Sequence, residues 1–454
     1  MKLNSDRKII TRFAPSPTGF FHIGGARTAL FIYLFTKQNN GKYILRIEDT
    51  DKERSKPEYE EDILASLKWL GLAHDEFVRQ SENIGYHKKC LKDLIDKDLA
   101  YVSKEELSAE ESEKKLRTEV IRFRNPNKKV TFQDLIHGEI SFDTTELGDF
   151  VIAKDLDTPI FHLANVADDI LSGITHIVRG EEHISNTPRQ ILIFEALGAE
   201  TIPTYAHIPL ILDKDRAKLS KRKHGASVWV NEYKKLGYFP EALINYLAIL
   251  GWSPQAGNND APEIFSLQNL LKNFDIIKVQ KRGAIFDTVK LNWINHEYLK
   301  NISTEVKKQE VKSRCPDRIK SLPDYSAEMF EKIIPLIAER ISYYGEVSEI
   351  LEKEDFDFFF KTPVVDEILL KSAEHLPAVI DLLQQIDESD FNAEKIKSAI
   401  WDFATEKGRG VVLWPMRVAL TGQEKSPDPF TVASILGKEE TIVRLANAQK
   451  NNPN

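Results

Sequence analysis

The order of elements at the start of the chain constrains the fold most. Ile9-Ile10-Thr11-Arg12-Phe13 reads as a short buried strand, Ala14 to Gly19 as a Pro/Ser/Gly turn, and Gly24 to Lys37 as a helix. Gly41 breaks the helix, and Lys42-Tyr43-Ile44-Leu45-Arg46-Ile47 alternates into a second strand ending on Glu48-Asp49-Thr50-Asp51. Two strands around one helix form a β-α-β unit, which commits them to a parallel, doubly wound sheet. The sequence therefore predicts an α/β protein with a Rossmann-like core.

The chain has 454 residues, more than one core usually organises, so roughly two to four domains are expected. With 62 Lys and Arg against 70 Asp and Glu, the net charge of -8 excludes a nonspecific nucleic-acid coat protein but not a local basic surface. Cys90 and Cys315 stand far apart, which supports neither a disulfide framework nor a cysteine zinc site and fits a reducing, cytoplasmic compartment. Met1 to Lys8 lacks the apolar run of a signal peptide, and no stretch nears the roughly 18 apolar residues of a membrane span.

Helices are predicted over Glu58 to Leu70 and Gly85 to Lys97. From Tyr101 to Thr145 the chain turns highly charged and then breaks into short strand-like pieces such as Val120-Ile121-Arg122-Phe123, the mark of an insertion. The α/β pattern resumes at Asp149 to Ala153, continues through a helix from Leu163 to Leu171, and reaches strands at Thr175 to Arg179 and Ile208 to Leu212. Pro240 to Leu250 is helical, and after about Ile302 nearly everything reads as amphipathic helix, including Met329 to Arg340 and Pro363 to Leu370.

Three groups of residues carry chemistry. Ala14-Pro15-Ser16-Pro17-Thr18-Gly19 leads into His22-Ile23-Gly24-Gly25 at the start of the first helix, where free N–H groups and the helix dipole favour an anion. His22 has N–H groups to offer phosphoryl oxygens, and Gly24 and Gly25 clear the way for close backbone approach. The spacing from Gly19 to Gly24 suggests a P-loop, but Gly25-Ala26 stands where that motif needs Lys-Ser/Thr. The same turn reads equally well as a helix start capped by histidine. Lys218-Leu219-Ser220-Lys221-Arg222 could close over a triphosphate, or be an ordinary solvated charge run. Arg12, Arg179 and Glu48 each stand at a strand's carboxyl end, where ligands of open α/β sheets collect. Two guanidinium groups and one carboxylate suit a small molecule with two carboxylates and one amine; taken singly, each also reads as half of a surface ion pair.

Together these stretches resemble the class I aminoacyl-tRNA synthetases, and specifically the bacterial-type glutamyl-tRNA synthetases. Thr11 to Gly19 with His22-Ile23-Gly24-Gly25 is similar to that family's "HIGH" element, and Lys218 to Arg222 to its "KMSKS" loop. Arg46 to Asp51, Leu163 to Asp169, Leu247 to Ser253, Phe286 to Asn295 and Arg417 to Gly422 extend the likeness over almost the whole chain. The resemblance implies ATP held by His22, Gly24, Lys218, Ser220 and Lys221, with Mg2+ accompanying it and Glu182 near the nucleotide. It implies L-glutamate in a pocket built from Arg12, Phe13, Ala14, Ser16, Glu48, Phe161, Asn165 and Arg179. The arginines would take the carboxylates, in an order left open, and Glu48 the amine. It further implies tRNA-Glu as partner, a monomer, and Arg340 roughly where the family reads the anticodon.

The implied layout is a split Rossmann-like catalytic domain (1–100 and 146–225), an α+β connective insertion binding the acceptor end (101–145), a mostly helical stem-contact region (226–300), and an all-α anticodon-binding domain (301–454). The sequence departs from the family pattern at Phe161, where tyrosine is common, and at His183, where some members have tryptophan. The insertion reads Tyr101-Val102-Ser103 where some relatives carry a cysteine-rich zinc site, so no zinc is expected. Charging of tRNA-Gln as well as tRNA-Glu stays open, as does a catalytically silent tRNA-binding descendant. In the helical half, Lys307, Lys308, Lys312, Arg314, Arg318 and Lys320 are candidate phosphate contacts or a solvated face.

Overall fold

The computed structural model describes residues 8–104, 119–219, 228–254 and 263–451. The chain divides into two compact units, Met1–Glu297 and Tyr298–Asn454. In chain order the first unit contains β1 (Ile10–Phe13), α1 (Ile23–Gln38), β2 (Lys42–Ile47), α2 (Pro57–Trp69), β3 (Glu76–Arg79), α3 (Ile84–Asp96), β4 (Ala100–Lys104), β5 (Glu119–Phe123), β6 (Lys129–Asp134), β7 (Gly138–Asp143) and β8 (Phe150–Ala153). It continues with α4 (Phe161–Leu171), β9 (His176–Gly180), α5 (Thr187–Ala196), β10 (Thr204–Ile208), β11 (Ile211–Leu212), α6 (Val230–Lys235), α7 (Pro240–Ile249), α8 (Leu267–Asn273) and β12 (Ala284–Ile285), and α9 (Thr288–Lys300) runs across the boundary into the second unit.

The main sheet has the order β3-β2-β1-β9-β10-β6-β7. All neighbours are parallel except the β6–β7 hairpin. From β1 the chain goes to β2 on one side, and β9 lies on the other, so β1 and β9 flank the topological switch point. Helix α1 follows β1 and is buried on almost every side, as a helix packed inside a large domain must be. It ends because Gly41 turns back sharply: its N–H bonds to Thr36 O at 2.8 Å, and a side chain there would lie 2.6 Å from Ile9 O.

Two sequence expectations are corrected here. Residues Phe150–Ala153 do not resume the parallel sheet; β8 pairs antiparallel with β5, and with β4 they form a separate three-stranded sheet. An apolar run such as Phe-Val-Ile-Ala does not encode strand direction. The pairing is fixed by cross-strand contacts, among them the stacked rings of Phe123 and Phe150, 5.2 Å apart. Conversely, the hairpin β6–β7, drawn from sequence as part of the insertion, extends the main sheet, with Asp134 in register with Tyr205 of β10.

The second unit is built of helices, among them Thr304–Ser313, Ala327–Arg340, Leu376–Gln384, Ala393–Lys407, Arg409–Thr421, Pro429–Leu436 and Lys438–Asn451. The helix expected over Pro363 to Leu370 is a single turn, Glu367–Leu370, because Asp366 caps it by accepting from Ile368 N and Leu369 N. No helix among the described residues is long and apolar enough to cross a membrane.

A buried ion network ties the first unit together. Arg12 of β1 is in register with Ile44 of β2, so Arg12 and Arg46 emerge on the same face of the sheet. Helix α4 covers that face with Asp169, which accepts from Arg12 Nε at 3.0 Å and Arg46 Nη1 at 2.6 Å. Arg46 Nη2 also reaches Glu48 at 3.1 Å. Arg12, Arg46 and Asp169 are 4%, 1% and 1% exposed, and burying such charges is tolerated only when each is paired. Burial alone would lower Arg46, but Asp169, Glu48 and Asp168 outweigh it and hold the guanidinium above its ordinary range.

Asp169→Asn is therefore expected to destabilise the first unit by about 3–5 kcal/mol, since it leaves two buried cations undercompensated. Gly41→Ala should cost about 1–3 kcal/mol by driving a methyl group into backbone. Urea unfolding of the intact chain measures both, and an unchanged midpoint in either variant contradicts the corresponding contact.

Candidate active site

Beyond the carboxyl ends of β1, β2, β9 and β10 a cleft of about 510 Å³ opens. Its walls bring together Arg12, Phe13, Ala14, Ser16, His22, Gly24, Glu48, Phe161, Asn165, Arg179, Glu182 and Lys218, residues more than two hundred positions apart at the extremes. Ser220, Lys221 and Arg222 lie outside the described residues. Arg340 belongs to the second unit, where it ends its helix with the guanidinium 5.0 Å over the Phe356 ring.

At the mouth of α1, His22 is an N-cap: its Nδ1 accepts the Gly25 N–H at 3.1 Å. The capping and the phosphate-binding readings are therefore compatible. With Nδ1 accepting, the neutral ring carries its proton on Nε2 as a donor. A side chain on Gly24 would sit 3.0 Å from His22 Cε1 and Nδ1, and one on Gly25 2.8 Å from the Phe21 ring, so both glycines keep the cap in place. Across the cleft Lys218 Nζ rests on Glu182 Oε1 at 3.2 Å, a half-exposed pair that water screens.

The floor of the cleft is less symmetric than the sequence suggested. Arg12 is committed to Asp169. Arg179 is just as deeply placed, yet no carboxylate among the described residues pairs with it. Its guanidinium donates to Gln190 Oε1 at 2.7 Å, Thr187 Oγ1 at 2.8 Å, His207 Nε2 at 3.2 Å and His183 O at 3.4 Å. Burial pushes its pKa down to about 10, so it stays a full cation at neutral pH. Glu48 accepts from Arg46 and, at 2.6 Å, from Asn165 Nδ2. Burial pushes the Glu48 carboxyl up, against the pull of Arg46 and Arg12. A buried cation with only neutral partners and a buried carboxylate thus face one cleft, a layout that selects a ligand carrying both anionic and cationic groups.

Phe161 opens α4 at the rim, 36% exposed, with its ring 6.1 Å from that of His183. Burial, with Arg179 acting in the same sense, pushes His183 down to about 4, so it is neutral at physiological pH. Sequence reading missed Arg46, Gln190, Thr187, His207 and Asp134 as parts of this site. Arg46 alone left a signal, a charge in the middle of an apolar strand; the others contact the site across the fold with no local pattern.

In the second unit the candidate phosphate contacts are engaged locally. Lys308 and Lys312 pair with Glu331, Arg314 with Glu310, Lys320 with Asp317, and Arg318 makes two 2.8 Å bonds to Asp357. Lys307 Nζ donates to Lys300 O. These contacts fit the solvated-face reading.

Comparison with known proteins agrees with this layout. The family described as tRNA synthetases class I (E and Q), catalytic domain, matches residues 8–119 and 104–293, and an anticodon binding domain matches 293–449. A glutamate–tRNA ligase of Halalkalibacterium halodurans is 38% identical, covering 96% of this chain and 98% of its own length. One of Carboxydothermus hydrogenoformans is 41% identical over the same shares. The crystal structure of a glutamate tRNA ligase from Elizabethkingia meningosepticum in complex with its amino acid superposes with a TM-score of 0.81 at 34% identity, covering 98% of this chain and 99% of that one. On the sheet order, the cleft and these matches along nearly all of its length, the chain belongs to the glutamyl-tRNA synthetases, the class I glutamate–tRNA ligases.

Proposed function

We propose that this cleft carries both half-reactions of a glutamate–tRNA ligase, and that Arg179 anchors the substrate's side-chain carboxylate. The observation that carries the assignment is the Arg179 guanidinium, buried at the cleft floor among neutral partners only. The α-carboxylate must act as a nucleophile, so the strongest uncompensated cation is better placed on the carboxylate that does not react. Glu48 takes the ammonium group. Arg12, Phe13, Ala14, Ser16, Phe161 and Asn165 shape the remaining walls.

ATP lies along the mouth of α1, where His22 Nε2 and the free N–H groups of the first turn face its phosphates. Lys218 leaves Glu182 for the phosphates, and Ser220 and Lys221, which follow it in sequence, act with it. Mg2+ comes with ATP as the counter-ion of its phosphates, part of the substrate. The α-carboxylate oxygen of glutamate attacks the α-phosphorus, a new P–O bond forms, and the bond to the β-phosphate breaks to release pyrophosphate. The terminal ribose hydroxyl of tRNA then attacks the glutamyl carbonyl and AMP leaves. No side chain forms a covalent bond, so the rate comes from positioning and from cations placed where charge gathers.

The domain roles in this reading are that residues 101–145 serve the acceptor end, 226–300 the stem, and 301–454 the anticodon, with the exposed Arg340 guanidinium, backed by the buried Phe356 ring, suited to stacking on an unpaired base. The reading includes a monomer that works in the cytoplasm, away from membranes. Buried, unpaired Cys90 and Cys315 accord with that compartment.

Purified protein with ATP, Mg2+ and labelled glutamate is expected to charge tRNA-Glu; charging of tRNA-Gln as well would mark a non-discriminating enzyme, and charging of neither by folded protein refutes the proposal. In the same assay Arg179→Gln should raise the glutamate KM by about 100-fold or more, since a buried charge pair is lost. Phe161→Tyr should lower that KM roughly three- to tenfold by adding a hydroxyl at the rim of the pocket. An unchanged KM would remove Phe161 from the glutamate pocket.

A further inference from the structure

Arg179 is only as useful as its orientation, and its orientation depends on a histidine in the next strand. Arg179 of β9 and His207 of β10 are register partners, so their side chains share a face. Arg179 Nε can only donate, hence His207 Nε2, 3.2 Å away, must accept and carry no proton. On the other side of the ring, Nδ1 lies 2.7 Å from Asp134 Oδ2. The second Asp134 oxygen accepts from Ile136 N and His137 N, both at 2.9 Å. Asp134 and His207 are 4% and 0% exposed. A carboxylate so placed demands a donor, so the ring proton is on Nδ1.

We propose that Asp134 and His207 are positioning residues for substrate glutamate: Asp134 holds His207 in its neutral Nδ1–H form, and the bare Nε2 fixes the guanidinium of Arg179. This rests on the reading that Arg179 binds the side-chain carboxylate. It gives the β6–β7 hairpin, whose sequence marked it as part of an insertion, a role in amino-acid binding.

The surroundings set the sign of the pH dependence. From the hairpin, Asp134 and His137 face the His207 residue, the latter through a 3.0 Å bond from its ring to His207 O. Arg179 faces it from β9, His183 from the connection into α5, Thr187 from the first residue of α5, and Tyr205 stacks on it from its own strand. Behind Arg179 stand Arg12, Asp169 and Glu48. Burial, aided by Arg179 and His137, lowers the His207 pKa below the usual 6.5, against the pull of Asp134. The ring is neutral at pH 7. As pH falls through that lowered value, a proton enters Nε2, an N–H meets the N–H of Arg179, and the guanidinium loses its acceptor. The glutamate KM should therefore be flat at pH 6.5 and above, and climb only as pH falls through that lowered value.

The test is tRNA-Glu charging by the intact protein from about pH 5 to pH 8, with KM for glutamate and for ATP measured separately. His207→Leu should raise the glutamate KM about tenfold or more while the ATP KM stays within about twofold. His207→Gln, whose Oε1 replaces Nε2 but does not titrate, should restore most of the affinity and lose the acid-side climb. A glutamate KM unmoved by His207→Leu, or an acid-side climb that persists in His207→Gln, overturns the proposal. Should these variants fail to fold, 15N-histidine labelling of the wild-type chain decides: at neutral pH one of the 11 histidines must show a protonated Nδ1 and bare Nε2 that vanish in spectra below the transition. Absence of such a ring overturns the proposal. Arg179→Gln separates the two ideas. If it leaves the glutamate KM unchanged, the carboxylate reading fails and the positioning role with it; if it raises KM and His207→Leu does not, only the positioning role fails.

Discussion

The Asp169 carboxylate, shared between Arg12 and Arg46, is the contact on which the catalytic unit depends. It joins two adjacent parallel strands to the helix that covers them, at the point where the sheet changes winding direction. Buried charges like these contribute little net stability compared with apolar packing, but they are costly to leave unpaired. They therefore specify one arrangement of β1, β2 and α4 and exclude others. Asp168, the adjacent residue, repeats the device, accepting from Gln80, Asn83 and His87 at 2.7 to 2.9 Å and lying 3.8 Å from Arg46 Nε. Consecutive carboxylates thereby hold α4 to the sheet, to the segment leading into α3 and to α3 itself.

This network also decides which charges the cleft offers. Arg12 and Arg46 are paired within the protein, both with Asp169 and Arg46 also with Glu48, so Arg179 is the cation at the cleft floor without a carboxylate partner among the described residues. Arg179 is surrounded by dipoles, which orient a guanidinium without cancelling its charge. Such a site is arranged before the substrate arrives, and water need not be reorganised at the moment of reaction. The side proposed for the nucleotide is built differently. His22 and Gly24 hold a helix start in a fixed shape, whereas Lys218 sits on an exposed pair with Glu182 that a phosphate can readily replace.

Much of this was legible in the chain. The strand-turn-helix-strand order from Ile9 to Ile47 announces a parallel sheet, and chain ends of parallel strands announce where a ligand goes. His22, Gly24, Arg12, Glu48, Arg179 and Lys218, picked out along the sequence, do line one cleft. Strand direction and partnership were not legible. Phe150–Ala153 has the composition of a buried parallel strand but pairs antiparallel, and the hairpin at Lys129–Asp143 joins the main sheet although its neighbours in sequence do not.

The sequence by itself determined the element types, the site's chemical vocabulary and the family, because hydrophobic period, glycine position and motif spacing act over a few residues. Only the tertiary structure decided which charges cancel and which remain. Asp169 meets Arg12 across 157 positions, and Asp134 meets His207 across 73. A carboxylate's effect falls with distance in space and with exposure to water, neither of which is written in the order of residues.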